Sequence, residues 1–452
     1  HMHIHILGIS GTFMGSLAVL AKESGAKVTG SDLKSYPPIS NQLESLNIEV
    51  IPNYDVDQLK LKPDLFVIGN VMSRGMPIIE QILAQNLPYT SGPRWLKDNI
   101  LRQKKIIAVS GTHGKTTTAS LMAFILKDLG MDPGYLIGGI PTGFDHSSNI
   151  GTDPFFIVEA DEYDTAFFDK RSKFIHYKPD VLVINNIEFD HVDIFNDIDQ
   201  IIWQFHQLLR TLSSQSKIIA NGDDINIQKL FALGVWSEVN YFSSEAVKDQ
   251  KWTCILDDNG QYNLCLKGKK LGPIDSKLFG KHNMQNITAA IAALASLGLN
   301  PKELMASTQN FIGVKRRLEY LGEFSNIHLF DDFAHHPTAI KASLAAMKSR
   351  SPSSQLYAVI ELASNTMRKG SLKSDLKESF CDAEYVWILD SGDAEWDIEK
   401  EFLGIKNIGI VKNLNDLSNQ IWTKLKYEDT VVIMTNKNSV GIRNIITKGP
   451  LG

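Results

Sequence analysis

Three cysteines in 452 residues, Cys254, Cys265 and Cys381, come without CxxC spacing, which excludes a disulfide framework and a cysteine zinc site. Long apolar runs are missing too: none approaches the roughly 18 residues a membrane-spanning helix needs. The N-terminal HMHIHILGIS passes directly into a strand pattern without the sectors of a secretory signal. His1 ahead of Met2 is read as a cloning remnant, and the expected compartment is the cytoplasm. Positive charge is not in excess, with 46 Lys and Arg against 51 Asp and Glu and a net charge of −5. A general nucleic-acid binder is thereby excluded, and any bound anion must be held by local geometry. Repeats, low-complexity tracts and heptad seams are absent.

What is present is core material, 43% hydrophobic residues, on a length that predicts about three domains. The first hundred residues alternate strand and helix: HIHILGIS, then TFMGSLAVLAKESG, then KVTGSD, with PDLFVIGN and PIIEQILAQN later. That βαβ rhythm predicts a parallel sheet. A fresh strand, KKIIAVS, sets a boundary near residue 103. PFFIVEAD, PDVLVINN and SKIIANGDD follow, then a hairpin signal at Asn259-Gly260 and an Ala-rich helix from KHNMQN. The alternation resumes beyond NFIGVKRRLEYLG. The expected fold is α/β in three domains: a Rossmann-like domain at 1–103, a central P-loop domain at 104–312 and a Rossmann-like domain at 313–452.

The chemistry gathers where apolar strands end. AVSGTHGKTTTASLMAFIL, 108–126, places Gly111, Thr112, His113, Gly114, Lys115, Thr116 and Thr117 between a strand and a helix. A full P-loop would need a glycine at 109, which is Val109. Consecutive amides at a helix N-terminus still cradle phosphate. Lys115 can neutralise β/γ oxygens, and the Thr116 hydroxyl can hold Mg²⁺. FIVEADEYD brings Glu159, Asp161, Glu162 and Asp164 to another strand end, where α/β sheets bind ligands. VINNIEFDHVDIF adds Asn185, Asn186, Glu188, Asp190, His191 and Asp193 in the same situation. FGKHNMQN offers His282, Asn283 and Asn286, residues that serve equally as caps or as adenine contacts. GVKRRLEY offers Arg316 and Arg317 at an inferred hinge, and LFDDFAHHPTA offers Asp331, Asp332, His335 and His336. A second glycine loop, GISGTFMG, spans Gly8 to Gly15 with Asp32 after the next strand. Its amides suit a nucleotide diphosphate, whereas Phe13 and Met14 fit the dinucleotide fingerprint poorly.

Taken in order, GTHGKTTT, EADEYD, NNIEFDHVD, GKHNMQN, GVKRRLE and DDFAHHPT resemble the Mur ligases over essentially the whole chain. These are three-domain ATP-dependent amide ligases of bacteria acting on UDP-N-acetylmuramic acid and its peptides. GTFMG, SYPPIS, GPRWL, EYDTAFFDKRSKF, DDFAHHPTAI and SNTMR resemble most the recycling branch, which joins UDP-N-acetylmuramate to the murein tripeptide L-Ala-γ-D-Glu-meso-diaminopimelate. The alternative is the branch that adds L-alanine.

The resemblance implies that Gly8, Ser10, Gly11, Thr12, Phe13, Met14 and Asp32 hold the UDP-sugar. Gly111 to Thr117 would hold the ATP phosphates, with Thr116, Glu159 and His191 on metal and His282 and Asn286 near adenine. Arg317 would face the γ-phosphate and Asp332 the ribose. His335, Ser364, Asn365, Thr366 and Arg368 would meet the amine, and Lys115, His191 and Arg317 would be catalytic. The implied metal is Mg²⁺, with Mn²⁺ the alternative because imidazole suits it better. Several family members carry a carbamylated lysine, and Lys170 and Lys173 lie in the general region. No nucleic-acid or membrane partner is expected, and the sequence sets no oligomeric state. Outside the family, a phosphate-loop ATPase switch and, on the first loop alone, an oxidoreductase are the rival readings.

Overall fold

The computed structural model describes residues 1–35, 38–188, 197–245, 250–278, 280–334, 337–350, 354–362, 373–435 and 437–450. The opening alternation folds as a parallel sheet of β1 (His3–Leu7), β2 (Lys27–Ser31), β3 (Glu49–Ile51), β4 (Leu65–Ile68) and β5 (Tyr89–Ser91), in the order β3-β2-β1-β4-β5. The helices α1 (Thr12–Glu23), α2 (Ile39–Ser45) and α3 (Pro77–Ala84) lie between its strands in the chain. Strands covered on both faces read as solid apolar runs; Ile4, Ile6, Leu7, Val67 and Ile68 are fully buried. The strand order reverses at β1, so the crevice beyond the C-terminal ends of β1 and β4 is the natural ligand position. β3 and β5 have three residues each, too short to show a period of two.

A second sheet of ten strands comprises β6 (Lys105–Ser110), β7 (Gly134–Leu136), β8 (Ser148–Asn149), β9 (Phe155–Glu159), β12 (Val181–Ile184), β13 (Lys217–Asn221), β14 (Glu238–Ser243), β15 (Trp252–Leu256), β16 (Tyr262–Leu266) and β17 (Lys269–Pro273). Between β9 and β12 stands a separate hairpin, β10 (Asp164–Ala166) and β11 (Asp169–Ser172). β6 lies between β12 and β9, parallel to both, so this sheet too reverses at its first strand. The Asn259-Gly260 turn joins antiparallel β15 and β16, with Leu256 opposite Tyr262. The helices α5 (Lys115–Asp128) and α8 (Lys281–Ala295) pack together, and buried Ala119, Ala123, Ala289 and Ala293 keep their flanks slim.

These two sheets share one core, which runs from Ile4, Leu17 and Trp95 to Phe156, Phe174 and Leu182. Polar contacts add to it. Ser148 Oγ donates to Ser16 O at 2.7 Å, and Gln42 Oε1 accepts from Ser147 N at 2.8 Å. The β10–β11 hairpin reaches the first sheet through Phe168, edge-on to Tyr89 at 5.0 Å, and through Asn70 Nδ2, which donates to Asp164 O at 3.3 Å.

The chain divides into two compact units, His1–Ile312 and Gly313–Gly452. The second unit is built on six strands, β18 (Glu319–Phe324), β19 (Ile327–Asp332), β20 (Leu356–Glu361), β21 (Tyr385–Leu389), β22 (Ile408–Val411) and β23 (Thr430–Met434), in the order β18-β19-β23-β20-β21-β22. Only β18 runs antiparallel to its neighbour. Among the described residues no helix is long and apolar enough to cross a membrane.

Candidate active site

The loop Gly111–Gly114 sits at the reversal point of the second sheet. Gly114 caps α5 at φ +83°, with no side chain on the helix amides, so the N-terminal N–H groups face outward for an anion. A methyl at Gly114 would collide with Asn286 Oδ1. The loop is clamped from beyond the end of β12 by the Asn186 amide and, through the His113 ring, by the Glu188 carboxylate. Asn186 Oδ1 accepts from His113 N at 2.7 Å, and Asn186 Nδ2 donates to His113 O at 3.1 Å. Glu188 N donates to Thr112 Oγ1 at 2.8 Å, and His113 Nε2 lies 2.9 Å from Glu188 Oε2. That hydrogen bond holds the Glu188 carboxyl below its ordinary range against partial burial.

Lys115 Nζ folds back onto Gly111 O at 2.6 Å and stands 3.9 Å from the buried carboxylate of Glu162. Thr116 Oγ1 donates to Glu159 Oε1 at 2.8 Å, and Glu159 Oε2 accepts from Gly138 N at 2.6 Å. A hydroxyl and a carboxylate thus converge beside the phosphate loop, an all-oxygen pair that suits Mg²⁺. Among the described residues no three His, Cys, Asp or Glu form a metal cage. His191 lies outside the described residues. On α8, Asn286 is buried against Gly114, and exposed His282 acts electrostatically on Glu188. The sequence reading missed Gly138; its only signal was the Gly138-Gly139 pair after β7.

The first loop is built otherwise. Gly8 is left-handed at φ +83°, and a methyl on it would press on Val71. Gly11 caps α1, again with no side-chain cap. Asp32 organises the loop: its Oδ2 accepts from Ser10 N at 2.9 Å, and its Oδ1 accepts from Leu33 N and the Tyr54 hydroxyl at 2.8 and 2.9 Å. Gly11 and Thr12 are exposed, whereas Met14 is buried near Gly69 and Gly92, with Phe13 also against Gly92.

In the second unit the two arginines part company. Arg316 is buried at φ +61°, donates Nη2 to Thr435 O at 2.6 Å, and sets Nε 3.3 Å from Asp331 Oδ2. Its guanidinium lies 5.0 Å from the centroid of the Phe333 ring. It is a packing residue, and Arg317 next to it is exposed. Asp331 is fully buried and receives Arg443 Nη2 at 2.5 Å. Asp332 accepts from Ser343 Oγ at 2.6 Å, and burial pushes its carboxyl up. His335, His336, Ser364, Asn365, Thr366 and Arg368 lie outside the described residues.

Three α/β sheets follow one another along the chain, and the middle one carries a lysine-bearing glycine loop with a hydroxyl and a carboxylate beside it. Matches to the Mur ligase family follow the chain in order: the family's catalytic domain over residues 3–104, the Mur ligase middle domain over 109–294 and the glutamate ligase domain over 316–436. The chain belongs to the Mur ligase family, whose members are ATP-dependent and form amide bonds. It is 43% identical over 453 residues to the UDP-N-acetylmuramate–L-alanyl-gamma-D-glutamyl-meso-2,6-diaminoheptandioate ligase of Escherichia coli (strain K12), covering 99% of this chain and 98% of that one. The crystal structure of a murein peptide ligase from Psychrobacter arcticus 273-4 superposes with a TM-score of 0.78 at 38% identity, over 100% of both chains. A UDP-N-acetylmuramate–L-alanine ligase of Desulfitobacterium hafniense (strain Y51) is more distant, at 31% identity over 86% of this chain and 84% of its own.

Proposed function

We propose that the protein joins the lactyl carboxylate of UDP-N-acetylmuramate to the amine of L-Ala-γ-D-Glu-meso-diaminopimelate, with cleavage of ATP to ADP and phosphate. The observation that carries the reading is the loop Gly111–Lys115 at the sheet reversal, with the Thr116–Glu159 oxygen pair beside it. Residues 1–103 bind the sugar nucleotide on the Gly8–Met14 loop, 104–312 bind ATP, and 313–452 bind the amine. In the first step a carboxylate oxygen attacks the γ-phosphorus, ADP leaves, and an acyl phosphate forms. In the second the neutral amine attacks the acyl carbon, the amide forms, a proton is lost from nitrogen, and phosphate departs.

Lys115 turns from Gly111 O to the β/γ oxygens and offsets the charge that develops there. The amides of Gly114 and the first turn of α5 orient the phosphates. Thr116 and Glu159, with His191 from the family pattern, would hold Mg²⁺, which would supply charge neutralisation for the transferring phosphoryl group. Arg317 and Asp332 keep the γ-phosphate and ribose roles that the resemblance implies. The amine reading rests on Ser364, Asn365, Thr366 and Arg368: a guanidinium fork among neutral donors matches a substrate with several carboxylates better than it matches L-alanine.

The test is phosphate release from ATP across a matrix of UDP-sugars and amines, with product masses. Turnover with UDP-N-acetylmuramate and the tripeptide, and little without either, is expected. A product carrying only alanine in a competition of the two amines would move the protein to the L-alanine branch. ATP hydrolysis that ignores both co-substrates would end the ligase reading.

A further inference from the structure

Lys173 is 9% exposed, a burial that lysine reaches only when something holds its charge. Its compensation is thin. Nζ lies 3.5 Å from Asp161 Oδ2, the far limit of a hydrogen bond, and 4.9 Å from the centroid of the Phe13 ring. Lys170, three residues earlier, shows the ordinary alternative: an exposed ammonium in a 2.9 Å pair with Asp164. A methionine or leucine would fill the space around Lys173 without the desolvation cost, so packing alone does not account for a cation there.

The two neighbours of the ammonium explain the choice better. Phe13 stands in the first turn of α1, on the loop that starts at Gly8. Asp161 lies two residues beyond Glu159, which accepts from Thr116 of the phosphate loop. The Lys173 backbone N–H also donates to Tyr163 O at 2.9 Å, which ties this segment to the same acidic stretch. One ammonium therefore meets Phe13 of the first glycine loop and Asp161, two residues from the Glu159 that bonds Thr116 of the second, on elements far apart in the chain.

Resting on the functional reading above, we propose that Lys173 is a positioning residue that couples the sugar-nucleotide loop to the ATP site. Ordering of the Phe13 loop by the sugar nucleotide fixes the ring under the ammonium. The ammonium in turn fixes Asp161 and the strand end that carries Glu159. By linkage each nucleotide then tightens the other by the same factor, roughly fivefold or more.

Lys173→Met keeps the stem and removes the charge, Lys173→Arg keeps a cation, and Phe13→Leu removes the ring from the other end. Calorimetry measures the affinity for a non-hydrolysable ATP analogue with and without UDP-N-acetylmuramate. In Lys173→Met and Phe13→Leu the coupling factor should fall to about one, and KM for the sugar nucleotide in turnover should rise; affinity for each nucleotide alone stays within about twofold in Lys173→Met, and affinity for the ATP analogue alone does so in Phe13→Leu. Lys173→Arg should restore most of the coupling. Full coupling in either Lys173→Met or Phe13→Leu, or equal losses in Met and Arg that follow melting temperature, would overturn the proposal and leave the ligase reading standing. Sugar nucleotide that fails to bind the unsubstituted protein would overturn both.

Discussion

The two glycine loops are near twins in sequence: strand, glycines, hydroxyls, helix. Both end on an N-capping glycine, Gly11 or Gly114, that leaves the helix amides uncovered. Their supports differ in kind. The first is held by a carboxylate, Asp32, on one backbone amide of the loop, and carries no cation of its own. The second is held by the amide of Asn186 on its backbone and by Glu188 on the His113 ring, and carries Lys115. The lesson is chemical. A loop that only binds a diphosphate can rest on amides and a fixed carboxylate, because the bound charge does not change. A loop at which a phosphoryl group transfers needs a mobile cation, because charge moves during the step.

The comparison breaks most visibly at Lys115. Lys115→Ala should cost on the order of 10²-fold or more in turnover of the folded variant, since its partly buried ammonium is the cation this loop carries. Near-normal activity in a folded variant would remove ATP from this loop. Gly114→Ala ranks next. It asks an alanine to hold φ +83° and to meet Asn286, so ATP affinity should fall by roughly tenfold, from a strain of about 1–2 kcal/mol. Calorimetry of ATP binding checks it, and unchanged affinity would show that the loop is free to relax.

Asp32→Asn sharpens the contrast from the other side. An amide NH₂ would replace one acceptor oxygen that now faces N–H or O–H donors, and charge-assisted bonds of this sort are worth about 1.5–3 kcal/mol. KM for the sugar nucleotide should rise roughly tenfold, with ATP affinity unchanged. Equal losses for both nucleotides would mean that the loops do not divide the substrates.

The smallest effect concerns Glu188. The His113 hydrogen bond depresses its folded pKa, so its contribution is complete above the ordinary carboxylate pKa and is lost as pH falls through the folded value. Both partners are partly exposed, 35% and 55%, which limits the term to less than about 1 kcal/mol. Glu188→Gln should therefore lower melting temperature slightly at neutral pH, with the difference vanishing as pH falls through the lowered pKa of the folded carboxyl. A difference that grows on acidification would reverse the sign.

Local pattern carried much of this molecule. Solid apolar runs broken by glycine and hydroxyl residues marked the loops at Gly8 and Gly111, the buried central strands of the three sheets and the Asn259-Gly260 turn. Motif order marked the family. Those features depend on near neighbours in the chain, so a window of ten to twenty residues contains their cause. Tertiary structure decided the rest. Arg316 and Arg317 are adjacent and identical in kind, yet Arg316 is buried against Asp331 and Phe333 and Arg317 is exposed. β3 and β5 are strands because β2 and β4 pair with them, not because three residues show a period. Sequence set Lys173 beside Lys170 in the general region of the family's carbamylated lysine, and only the fold brings Phe13 and Asp161 to its ammonium. Burial and long-range contact are properties of the packed chain, and no local window records which distant side chain will supply them.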